Sequence, residues 1–141
     1  MKSFTLLVAV TVTVTVISLS ACGARSSDEE KVRALFAAAE TAAEERDASD
    51  VLAMVADDYE DANGFDKTQL RNFLRGYFLA NPSIELLVNV ESLEFPADGL
   101  ARAELNVTRV SLNDPQRLHL AVELRRTGDE WRVQRADRIQ R

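Results

Sequence analysis

The feature that most limits the fold is a change of hydrophobic period at Asn81-Pro82. Before it apolar residues recur every three or four positions, and after it they alternate. Val32, Leu35, Phe36, Ala39 and Ala43 form one helical stripe up to about Arg46. Val51, Leu52 and Val55 form a shorter second stripe, and Leu70, Phe73, Leu74, Tyr77 and Phe78 a third. Each stripe has a start signal: Ser27-Asp28-Glu29-Glu30 reads as a capping box, Asp47 as a cap, and Asp66 with Gln69 as a second box. Beyond Pro82, Ile84, Leu86, Val88 and Val90 predict a half-buried strand, after which the apolar parity moves to Leu93 and Phe95. A second strand is expected around Ala101 to Leu112, where the parity change at Val110 and Leu112 predicts a bulge near Arg109. Leu118, Leu120, Val122 and Leu124 mark a third strand, Thr127-Gly128-Asp129-Glu130 a turn, and Trp131 with Val133 a fourth. Helices followed by strands predict an α+β domain, an antiparallel meander covered on one face by helices. Its expected core joins Leu105, Leu120, Val122 and Trp131 to Phe36, Phe73 and Phe78.

The first residues read as a leader that is removed. Lys2 precedes Phe4 to Leu19, an uncharged run of 16 residues, shorter than the roughly 20 apolar residues that a spanning helix needs. The run ends in Leu19-Ser20-Ala21-Cys22, which resembles the lipobox of bacterial lipoproteins at all four of its positions. The resemblance implies cleavage between Ala21 and Cys22, a diacylglyceryl thioether on Cys22 and an acylated new N-terminus, with chains such as palmitate. Several acyl chains hold a domain on a membrane where one would not. Cys22 is the only cysteine, so it has no disulfide partner within the chain. The organisation expected is a signal peptide over 1–21, a lipidated polar tether over 22–27 and one domain over 28–141. The expected location is the cell envelope, and the periplasmic side of the outer membrane if the source is Gram-negative, because Gly23 rather than Asp follows the cysteine.

Charge narrows the range of partners. The 141 residues carry a net charge of -6, which argues against a nucleic-acid binder that needs a basic face. The charge is unevenly placed: 17 acidic and 6 basic residues lie between Asp28 and Asp98, against 6 acidic and 9 basic from Gly99 to Arg141. This suits two complementary layers of one domain with solvated outer faces.

Three helices followed by a meander, with Arg46-Asp47-Ala48-Ser49-Asp50-Val51-Leu52, Ala56-Asp57-Asp58-Tyr59 and Asp129-Glu130-Trp131-Arg132-Val133 in place, resemble the NTF2-like superfamily, which includes ketosteroid-isomerase-like proteins. The resemblance covers about residues 28 to 138. It implies a sheet curled around the helices into a cone that can hold a hydrophobic ligand. It does not imply one activity, since the superfamily spans isomerases, dehydratases and binding domains. Many relatives dimerise through the outer sheet face, here the face of His119, Ala121, Glu123 and Arg125; monomer and homodimer both remain open.

Candidate pocket residues are Tyr59, Tyr77, Phe78 and Trp131, of which Tyr77 and Trp131 also suit the core. Tyr59 with Asp57 and Asp58 is the one group that could support acid/base chemistry on a hydrophobic substrate, the alternative to a noncatalytic module binding a small apolar molecule or an envelope protein. No residue is assigned as catalytic. His119, the sole histidine, has the parity of the outer face. Asp61-Ala62-Asn63-Gly64 resembles the middle of a calcium loop, but Tyr59 and Leu70 occupy the required ligand positions, so neither metal nor cofactor is expected.

Overall fold

The computed structural model describes residues 20–140. The uncharged leader run and Leu19 lie outside the described residues, as do the side chains of Ser20, Ala21 and Cys22. Three helices, α1 (Ser20–Glu44), α2 (Ala48–Ala53) and α3 (Lys67–Ala80), precede four strands, β1 (Leu86–Ala97), β2 (Leu100–Arg109), β3 (Gln116–Thr127) and β4 (Glu130–Ile139). The strands form one antiparallel sheet in the order β1-β2-β3-β4. Helices packed against one face of this curved sheet make the α+β cone that the change of period predicts.

Two of the three helix starts are as expected. Asp47 caps α2 by accepting from the Asp50 backbone N–H, and Asp66 with Gln69 forms a complete capping box on α3. Ser27 does not cap α1, which begins at Ser20, so the stretch read as a polar tether continues the helix. No proline interrupts it, and once a helix is nucleated each added residue gains a hydrogen bond. Asp28 is instead turned inward, where it is buried against Arg126 and Trp131.

The bulges also fall elsewhere. β2 and β3 pair without a break from Leu100↔Arg125 to Arg109↔Gln116, so no bulge occurs near Arg109. β2 simply ends there, and Val110 and Leu112 are exposed beyond it. The register shifts lie between Val90 and Ser92 in β1, which explains the parity change to Leu93, between Glu94 and Ala97 at the end of β1, and between Glu123 and Leu124 where β3 meets β4. Such extra residues bend strands and curl the sheet.

The core joins Val32 and Phe36 of α1 to Ala101, Ala103 and Leu105 of β2, Val122 and Leu124 of β3, and Trp131 of β4. Phe78 is buried, but Phe73 is 55% exposed, contrary to its expected place in this core. The reason is architectural: α1 lies across the sheet, whereas α3 packs on α2 and stands off it.

Both sheet edges are covered in part, as an open edge would invite pairing with other chains. On β1 the backbone N–H groups of Leu86 and Val88 donate to Glu44 and Glu40 of α1 at 2.9 and 2.8 Å. On β4 the segment after α2 runs alongside: the Ala56 N–H donates to the Val133 carbonyl and the Glu60 N–H to that of Gln134.

Candidate site at the open end of the cone

Because α3 stands off the sheet, a cavity of about 760 Å³ opens between them. Its walls are Phe73, Leu74, Tyr77 and Phe78 from α3, Ile84 and Leu86 at the start of the sheet, and Val107 and Leu118 from β2 and β3. The α3 rings form a continuous series, with Phe73 stacked on Tyr77 at 5.8 Å and Tyr77 edge-on to Phe78 at 6.2 Å. Phe73 is thus exposed to solvent because it borders a space. Aliphatic and aromatic walls with a few polar groups are what small-molecule sites require.

Polar groups gather at the rim: Arg109 at the end of β2, Arg117 at the start of β3, Arg138 near the end of β4, and Asp114 in the β2–β3 loop. Arg109 is half-buried, donates through Nη2 to Asn81 Oδ1 at 2.7 Å and sits over the Tyr77 ring at 5.8 Å. The remaining strand arginines pair with carboxylates: Arg102 with Glu123, Arg125 with Asp58, Arg126 with Asp28 and Asp98, Arg132 with Glu130, and Arg135 with Asp137. The three at the cavity have no such partner among the described residues.

Of the four residues singled out in the sequence, Tyr77 and Phe78 line this cavity and Tyr59 and Trp131 do not. Tyr59 is buried beneath the covered edge of β4, its hydroxyl 3.5 Å from the Ala136 carbonyl oxygen. Burial raises its phenol above the ordinary value, with the nearby Asp61 and Asp137 adding to the effect. The neighbouring acids are engaged elsewhere, Asp57 with Lys67 and Asp58 with Arg125. Trp131 is buried in the core, donates to Asp28 at 3.1 Å, and borders a surface trough of about 790 Å³ between α1 and α2, whose walls mix alanines with charged residues such as Lys31, Glu45 and Asp50. His119 takes the outer parity as expected but is half-buried opposite Asn106, and His119 Nδ1 and Asn106 Oδ1 have no hydrogen-bond partner.

Sequence reasoning missed the arginines. The signal for Arg109 was present, since it continues the inward parity of Leu105 and Val107. The signal for Arg138 was not, because the extra residue in β4 resets parity after Val133. Among the described residues no group of three His, Cys, Asp or Glu side chains is placed to hold a metal ion, and no helix is long and apolar enough to cross a membrane.

Comparison with solved structures decides the fold. A protein of unknown function from Shewanella oneidensis, described as NTF2-like, superposes with a TM-score of 0.65 at 13% identity, over 79% of this chain and 98% of that one. The fold is NTF2-like. A second NTF2-like protein of unknown function, from Pseudomonas putida, gives a TM-score of 0.64 at 21% identity over 79% of this chain and 84% of the other. A putative calcium/calmodulin-dependent protein kinase type II association domain from Thiobacillus denitrificans gives 0.65 at 20% identity, over 77% and 94%. No family model and no curated protein matches the chain. The cavity therefore lies at the open end of an NTF2-like cone, between its third helix and the sheet.

Proposed function

We propose that this NTF2-like domain is a lipid-anchored module of the cell envelope that holds a small apolar molecule in its cone cavity without transforming it. The observation that carries the binding reading is the 760 Å³ space walled by Phe73, Leu74, Tyr77, Phe78, Val107 and Leu118. Anchoring is supported by Leu19-Ser20-Ala21-Cys22 behind the uncharged run, and by Cys22 being the only cysteine. Binding without chemistry is supported by the engagement of Tyr59, Asp57 and Asp58 away from the cavity, in core packing and ion pairs.

Two measurements test the parts separately. The neutral fluorophore N-phenyl-1-naphthylamine should brighten on binding the domain, and Leu118→Trp, which fills the cavity, should abolish the response while the fold is retained. An unchanged response in that variant would move the site elsewhere. For anchoring, Cys22→Ala expressed in a bacterial host should shift the protein from the membrane to the soluble envelope fraction. Persistence in the membrane fraction would mean that the leader run itself is the anchor.

A further inference from the structure

Resting on the reading that the cavity takes a small apolar molecule, we infer that its ligand is an apolar carboxylate whose head group is bound by Arg109. The walls can satisfy only the apolar part of a ligand. Arg109, Arg117 and Arg138 all border the cavity, against the single acidic residue Asp114. These are the strand arginines that lack an acidic partner among the described residues, while those elsewhere on the sheet are paired. A domain with an acidic excess thus leaves its unpaired strand cations beside one apolar space.

Arg109 is the group placed to bind. It is half-buried, so solvent screens it less than an exposed arginine, and it contacts the neutral Asn81 amide and the Tyr77 ring. Asn81 and Tyr77 fix the guanidinium plane and leave donors for a carboxylate, which a planar fork can bind through two parallel hydrogen bonds. Arg138 is more exposed and adds long-range attraction, without a fixed contact.

The test compares 11-(dansylamino)undecanoate with its methyl ester, which share the apolar body and differ in charge. The acid should bind about tenfold or more tightly than the ester, as expected for a charge-assisted hydrogen bond. Arg109→Gln should bring the acid to within about threefold of the ester at low salt and leave the ester unchanged. Arg138→Gln, at an exposed position, should weaken only the acid, by about threefold at low salt and less at high salt. Equal affinity for acid and ester in the wild-type domain would overturn the inference and leave the apolar cavity standing. Binding of neither would overturn both. If Arg109→Gln weakened acid and ester alike, with a lowered melting temperature, Arg109 would be holding Asn81 in place and the assignment would fail.

Discussion

Asp28 shows how one side chain can connect distant parts of this chain. Its carboxylate accepts from Arg126 Nη1 at 2.8 Å and from Trp131 Nε1 at 3.1 Å, joining α1 to β3 and β4 across about a hundred residues of sequence. Arg126 is also held by Asp98 at 2.7 Å. Removing the buried carboxylate leaves an indole N–H and a guanidinium short of partners, so Asp28→Ala should cost about 3 kcal/mol in urea unfolding. A loss below about 1 kcal/mol would mean that α1 docks by apolar contact alone. Phe73 gives the opposite case. Because it is 55% exposed, Phe73→Ala should cost only about 1 kcal/mol, well under the 3 to 5 expected of a core phenylalanine, while weakening probe binding in the cavity. Tyr59, at 6% exposure, is the residue whose truncation to alanine should carry the larger cost.

Among elements, the sheet edges depend on side chains that come from outside the sheet. Glu40 and Glu44 lie one turn apart on α1, so a single helix face presents two carboxylates to the N–H groups of Val88 and Leu86. The double variant Glu40→Ala/Glu44→Ala should speed amide hydrogen exchange at Leu86 and Val88 by about tenfold or more relative to the centre of β2. Unchanged protection would show that solvent serves these groups equally well. The other edge is sensitive to acid. Burial opposes ionisation of Asp137, but hydrogen bonds from Arg135 and the Ala62 N–H outweigh it together, and the carboxyl titrates below the ordinary aspartate value of 3.8. A lowered folded-state pKa contributes stability that is present above the unfolded value and lost as pH falls through the folded one. The difference in melting temperature between wild type and Asp137→Asn should therefore be full above roughly pH 4 to 5 and vanish in stronger acid. Asp57 is lowered in the same sense by its hydrogen bond and attraction to Lys67, but it is exposed and contributes little.

On the scale of the molecule, the uneven charge of the sequence becomes contact between layers. Asp28 of α1 and Asp58 of the edge segment pair with Arg126 and Arg125 of β3, so acidic residues from the first part meet basic residues of the second. The strand arginines left without a carboxylate partner among the described residues border the cavity created by the stand-off of α3. Binding of an apolar carboxylate should accordingly raise the melting temperature of the wild-type domain, as any ligand selective for the folded state does, and raise that of Arg109→Gln much less. Equal shifts in the two would place the ligand elsewhere.

The sequence by itself determined the order and type of elements, because period and caps are local: side chains three or four apart share a helix face, and alternate ones share a strand face. It was sufficient for Asp47, for the Asp66-Gln69 box, and for the inward parity of Leu105, Val122 and Leu124. Tertiary structure decided where a local signal had a distant competitor. Ser27 and Asp28 carry a good capping pattern, yet Asp28 gains more from Arg126 and Trp131 than from a helix end. Phe73 lies on an apolar stripe, yet whether that stripe meets a core or a cavity depends on the distance between α3 and the sheet, which α2 and the following loop set. The register of β4 rests on one extra residue, so no count along the chain could bring Arg138 to the rim beside Arg109. Faces are fixed by neighbours in sequence, whereas the gap between faces, and so the site, is fixed by packing across the whole chain.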